Sequence, residues 1–63
     1  MKTGTVKFYN HSKGYGFISD SETGNDIFVH STGLKTEIRD GDQVVFEVTT
    51  GKKGLNAINV QHQ

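Results

Sequence analysis

Apolar positions in this chain recur at every second residue in short runs, and the runs stop at glycine. Val44, Phe46 and Val48 alternate with Val45, Glu47 and Thr49, the period-2 signature of a strand with one buried face. Runs of β-branched and aromatic residues predict strands over about Thr3–Asn10, Tyr15–Asp20, Asp26–His30, Gln43–Thr50 and Asn56–Gln61. Thr23-Gly24-Asn25, Asp40-Gly41 and Gly51-Lys52-Lys53-Gly54 read as the turns between them. Only Ser31–Asp40 leaves room for a helical turn, where Leu34 and Ile38 could plug one end of a barrel. Five short strands without a paired helix predict an all-β fold. The expected form is a five-stranded antiparallel closed barrel of the OB-fold type with no substantial helix, because closure removes exposed edges.

The alternation also sorts side chains by face. Ile18, Ile27, Val29, Val44, Phe46, Val48, Ile58 and Val60, with Val6, are enough to fill a small barrel. Tyr15, Phe17, Phe28 and His30 are then left outside on two neighbouring strands, and flat rings gathered this way form a patch with a purpose. Phe8 and Tyr9 are adjacent, so either one packs inward or the strand is bulged. Gly14 and Gly16 flank Tyr15 on the inward side. Barrel coiling is the primary reading, and keeping the rings accessible is a second one compatible with it.

Composition narrows the class. At 63 residues the chain has the length of one small domain, 1–63, and such a chain buries only about 60% of the surface its unfolded form exposes. It has no cysteine, which excludes disulfides and thiolate metal sites. A hydrophobic content of 32% is low, but 22% charged residues at zero net charge argues against disorder. No apolar run approaches membrane-spanning length, and Met1–Thr5 lacks a signal-peptide core, so a cytoplasmic protein is expected. The zero net charge hides a split. Residues 1–19 carry Lys2, Lys7 and Lys13 and no acid, and all seven acids lie in residues 20–50 against Lys35 and Arg39. Lys52 and Lys53 follow. Such a split suggests a basic face built from the two chain ends.

Lysines interleave with the rings. Lys7 precedes Phe8-Tyr9-Asn10, and Lys13 opens Lys13-Gly14-Tyr15-Gly16-Phe17. Rings at base-stacking spacing, rimmed by lysines that can meet phosphates, suit single-stranded nucleic acid. The same patch could instead serve a second core or a protein interface. No catalytic constellation assembles. His11 falls in a loop, His62 lies at the end of the chain, and Gly14-x-Gly16 lacks the third glycine and the helix of a dinucleotide fingerprint. The carboxylates read as solvated turn residues. A non-enzyme without metal or other cofactor, membrane contact or small-molecule substrate is expected.

Gly4-Thr5-Val6-Lys7-Phe8-Tyr9-Asn10, Lys13-Gly14-Tyr15-Gly16-Phe17-Ile18, Asp26-Ile27-Phe28-Val29-His30 and the tail Gly51–Val60 together resemble the bacterial cold-shock proteins, in order and over nearly the whole chain. Lys13–Ile18 looks like the first RNA-binding motif of that family and Ile27–His30 like the second. An RRM uses similar motifs in the reverse order, and its longer motif ends in an aromatic where Asp20 stands here. The resemblance implies an OB-type barrel that binds single-stranded RNA and DNA with weak sequence preference. It further implies an RNA chaperone that melts secondary structure without ATP; a monomer is expected. Carried over by position, Phe8, Tyr15, Phe17, Phe28 and His30 form the stacking platform, with Tyr9 assisting. Lys7, Lys13 and Lys53 match basic contacts, and Asn10 and Asp26 match polar base contacts. The alternative function is a protein-interaction barrel using the same aromatic face.

Three departures from the family pattern stand out. Phe8 replaces the usual tryptophan, Ser31 replaces the usual phenylalanine after the histidine, and the segment from His30 to Gly41 is shorter and lacks its loop aromatic. Fewer stacking partners predict weaker affinity or a footprint near the low end of the roughly 4–16 nucleotides of an OB fold.

Overall fold

The structure, a computed structural model, describes residues 1–51 and 54–63. Its strands are β1 (Lys2–Asn10), β2 (Tyr15–Asp20), β3 (Asp26–His30), β4 (Gln43–Gly51) and β5 (Gly54–His62). β2 and β3 have the bounds expected from the apolar runs, while β1 and β4 extend one residue beyond them and β5 two residues at its start and one at its end. A single 3₁₀ turn, Ser31–Gly33, is the helical element of the described residues. No described helix is long and apolar enough to cross a membrane.

The strands close into a barrel in the order β1-β2-β3-β5-β4. The expectation of a wholly antiparallel barrel is corrected here, because β3 and β5 pair in parallel, Phe28 with Asn56 and Val29 with Ala57. The reason is parity. Direction cannot alternate at every contact around a ring of five strands, so one neighbouring pair must run the same way. Parallel neighbours need a long connection, and here residues 31–42 and all of β4 lie between β3 and β5.

The core consists of Val6, Tyr9, Ile18, Ile27, Val29, Ile38, Val44, Phe46, Ala57 and Val60, with Leu34 and Val48 packed against it. Ile38 is fully buried, so the long connection does plug the barrel. Ile58, expected inside, is only half-buried, and Ala57 takes its place. The cause is a bulge. Between Val45↔Gln61 and Glu47↔Ile58 the β5 side advances one residue more than the β4 side, and Asn59 adopts a φ of 53°. That extra residue shifts the alternation, so positions 57 and 60 both face inward.

A second bulge reshapes β1. Val6 pairs with Ile18 and Phe8 with Phe17, so Lys7 is the extra residue. Phe8 consequently turns out and Tyr9 in. Gly16 makes this possible, because a Cβ there would run into the Phe8 carbonyl and come within 2.8 Å of Tyr9 Cα. Gly14 serves differently. It closes the β1–β2 turn at a φ of 73°, a conformation that a side chain disfavours. Close backbone approach thus accounts for Gly16, while Gly14 lies in the turn and not inside a strand.

The carboxylates are not uniformly solvated turn residues. Asp20 is 2% exposed at the end of β2. It accepts the Glu22 N–H at 2.8 Å and lies 3.3 Å from Lys2 Nζ. The Glu22 N–H, helped by Lys2, holds its carboxyl below the ordinary aspartate value, against the opposing effect of burial.

Candidate nucleic-acid interface

The ring face is built by cross-strand register on the three-strand meander β1-β2-β3. Phe8 lies opposite Phe17, which lies opposite Phe28, in one row across the sheet. Asn10, Tyr15 and His30 form the next row. Residues in register share a face, so two rows one pleat repeat apart assemble a plate of side chains on the outer barrel wall.

The rings support one another. Phe8 and Phe17 have centroids 5.6 Å apart, Phe17 meets Phe28 edge-on at 5.8 Å, and Tyr15 lies nearly parallel to Phe28 at 6.0 Å. Phe8 also meets Tyr15 edge-on at 6.4 Å. Each such contact contributes about 0.5–1.5 kcal/mol beyond area burial, so the rings favour one another's placement without a ligand. Phe8 is 38% exposed; Tyr15, Phe17 and Phe28 are half-buried against their neighbours. His30 is exposed at the end of β3, where its Nδ1 accepts the Thr32 N–H at 3.3 Å and sits 3.1 Å from Thr32 Oγ1.

The polar residues distribute around this plate. Lys7 Nζ lies 3.1 Å from Asp26 Oδ2, an exposed ion pair across the β1–β3 side of the plate. Asn10 Oδ1 accepts the Lys13 N–H at 3.1 Å and shapes the turn from which Lys13 projects, exposed. Lys53 lies outside the described residues.

Tyr9 is the expected stacking residue that the fold puts elsewhere. Its side chain is 9% exposed and belongs to the core, with only an edge-on contact to His11 at 4.9 Å beside a groove of about 350 Å³. The bulge at Lys7 removes it from the plate. Ser31 lines the same groove rather than the plate, together with Leu34, Lys35 and Thr36. One neighbour of the plate was not expected from the sequence. Asn56 of β5 lies in register with Phe28 and extends the Phe8–Phe17–Phe28 row. Only the parallel closure of the barrel brings it there.

No group of three His, Cys, Asp or Glu side chains suited to holding a metal occurs among the described residues. The arrangement can therefore offer flat apolar faces, a few amide and imidazole hydrogen-bond groups, and ammonium groups at its rim.

Known proteins are similar to this chain in sequence and in fold. The family model described as the 'Cold-shock' DNA-binding domain matches residues 2–63. The cold shock-like protein CspA of Stigmatella aurantiaca is 45% identical over 65 residues, covering 97% of this chain and 96% of its own. Cold shock protein 1 of Lactiplantibacillus plantarum is 43% identical over 67 residues, covering both chains completely. In three dimensions, the solved structure described as Drosophila Unr CSD456 superposes with a TM-score of 0.80 at 29% identity. The match covers 98% of this chain and 26% of that longer one. With a family match over residues 2–63 and relatives similar from end to end, the chain belongs to the cold-shock domain family of nucleic-acid-binding proteins.

Proposed function

We propose that the chain, acting as a monomer of one 63-residue domain in the cytoplasm, binds single-stranded RNA and DNA by stacking bases on Phe8, Tyr15, Phe17, Phe28 and His30. Lys7, Lys13 and Lys53 meet phosphates, and Asn10 and Asp26 meet base edges. The observation that carries this reading is the continuous plate of rings in register on three strands. A base stacked on an aromatic side chain gains about 1–3 kcal/mol. Bases in a duplex already have both faces covered, so the plate favours the unpaired strand. Lys7 starts in an exposed ion pair with Asp26, which is worth at most about 1 kcal/mol. Exchanging that carboxylate for a phosphate is therefore inexpensive.

Binding of this kind supplies an ATP-independent RNA chaperone activity. A protein that binds the open strand and not the helix draws the helix–coil equilibrium toward the open form by mass action. No bond is made or broken in the RNA, and no cofactor takes part.

The test is titration with oligo-dT, oligo-dA and a matched duplex over a range of salt. Single strands should bind more tightly than duplex, with oligo-dT modestly ahead because purines cost more to unstack from each other. The log–log slope against salt should be about −0.7 per phosphate neutralised. Duplex binding as tight as oligo-dT would refute the stacking reading. A folded protein that binds none of these oligonucleotides would point to a protein-interaction face instead.

A further inference from the structure

β1 carries two aromatic side chains in succession, Phe8 and Tyr9, and the fold must choose which one joins the plate. Apolar burial alone does not favour the choice observed. The two side chains have nearly the same size, and phenylalanine is the one without a hydroxyl to keep hydrated. Yet Tyr9 is in the core and Phe8 is 38% exposed.

The directions of the backbone N–H groups show what opposes that preference. In a regular strand the N–H groups of alternate residues point to the same edge, so those of Val6 and Phe8 would leave β1 together. Here the pair is Val6 and Tyr9. The Val6 N–H donates to the Asp42 carbonyl at 2.8 Å, and the Tyr9 N–H donates to Asp40 Oδ1 at 2.8 Å. The Gly41 N–H donates back to the Val6 carbonyl at 2.7 Å. Among the described residues no strand pairs with this edge, since the register of β4 on β1 ends at Thr5↔Gln43. The 40–42 turn takes its place, and the Asp40 carboxylate receives the one N–H that the bulged register presents. Removing the bulge would send the Phe8 N–H to this edge in its place. Phe8 would turn inward beside Val6, and Tyr9 would turn out.

We propose that Asp40 is a positioning residue: its bond to the Tyr9 N–H locks the β1 bulge and so decides that Phe8, and not Tyr9, faces the nucleic acid. This rests on the reading of the ring plate as the binding face, and it adds a determinant that touches no ligand.

The sign of the effect makes it testable. Removing a carboxylate from a protein that binds a polyanion should, by charge alone, tighten binding. Positioning predicts the opposite. Asp40→Ala should loosen oligo-dT binding about 3- to 10-fold at fixed salt, the size expected from one lost hydrogen bond. Asp40→Asn should restore most of the affinity, because its amide oxygen can accept the same bond. In a Phe8→Ala background the penalty of Asp40→Ala should vanish, since the stacking ring that Asp40 positions is already gone. Hydrogen exchange at the Tyr9 amide should accelerate in Asp40→Ala relative to the amide of Val29 in the core. Unchanged or tighter binding by a folded Asp40→Ala variant, an equal penalty in the Phe8→Ala background, or unchanged exchange at Tyr9 would overturn the proposal. Wild-type affinity in Phe8→Ala alone would instead refute the stacking role of Phe8, while Tyr9 exchange would still report the lock itself. If Asp40→Ala fails to fold, Asp40→Glu keeps the charge and displaces the oxygen by one methylene, and the same losses decide the matter.

Discussion

Phe17 and Phe46 carry the same ring to opposite sides of the barrel wall. Phe46 is fully buried, and Phe17 lies half-buried between Phe8 and Phe28 on the outer face. Phe46→Ala should cost about 3–5 kcal/mol of stability. A core of this size rarely supplies more than about 3–5 kcal/mol in all, so the variant should be largely unfolded in a thermal melt. Phe17→Ala and Phe28→Ala should each keep a cooperative melt and lose about 1–3 kcal/mol of oligo-dT binding per stacked base. An unfolded Phe17→Ala protein would show that the outer rings are a second core. Side-chain placement was legible from alternation wherever the strand was regular, as at Tyr15, Phe17, Phe28 and His30. It was not legible at Phe8 and Tyr9, where the sequence allowed either an inward ring or a bulge and the structure has both.

At the scale of elements, β1 and β2 approach too closely for a side chain at Gly4 and at Gly16, and Gly16 is the one beside the bulge. A Cβ on Gly16 would meet the Phe8 carbonyl and Tyr9 Cα, both backbone, so neither can swing aside as a flexible side chain would. Gly16→Ala should separate the two strands at the bulge and cost about 1–3 kcal/mol of stability, as overpacking does. Chemical denaturation measures this directly, and wild-type stability in Gly16→Ala would show that the strands can part without cost. The bounds of β2 and β3 were legible because turn residues flank each of them closely. The bulges were not, because an extra residue in one strand is defined only against its partner. Ile58 and Val60 read as one face in the sequence, yet Asn59 at a φ of 53° puts Ala57 and Val60 inside.

For the whole molecule, acid should weaken the barrel through two carboxylates that clasp distant segments. Asp20 ties the end of β2 to Lys2 and the Glu22 N–H. Asp42 accepts the Arg39 N–H at 2.9 Å and lies 3.1 Å from His62 Nε2, joining the 39–42 turn to the end of β5. The Arg39 N–H, then His62, hold the Asp42 carboxyl below its ordinary value, as the Glu22 N–H does for Asp20. With folded values below the usual 3.8, the unfolded chain binds more protons as the pH drops through that range. The stabilisation is thus present above about 3.8 and lost as pH falls from there through the lower folded values. Asp20→Asn should melt below wild type at neutral pH, and the difference should shrink in that acid window. A difference independent of pH would show that the Asp20 charge plays no part. Asp20 looked like a solvated turn residue because sequence alone does not reveal that Lys2 and the 22–23 backbone close over it.

Alternation, turn chemistry and glycine spacing were enough to determine a five-stranded barrel, most of its core and the outward rings of β2 and β3. These are local properties: the pleat sends neighbouring side chains to opposite faces whatever the strand pairs with. The tertiary structure decided what depends on partners far along the chain. It set the parallel β3–β5 closure, the two bulges, the burial of Tyr9 and Asp20, the arrival of Asn56 beside Phe28, and the Asp40 bond on the edge of β1. Each of these arises where one segment supplies the neighbour, the acceptor or the space that another segment requires. The parity of five strands in a ring already demanded one parallel contact. Only the closed barrel shows that it falls between β3 and β5, because residues 31–42 together with β4 form the long connection that allows those two strands to run the same way.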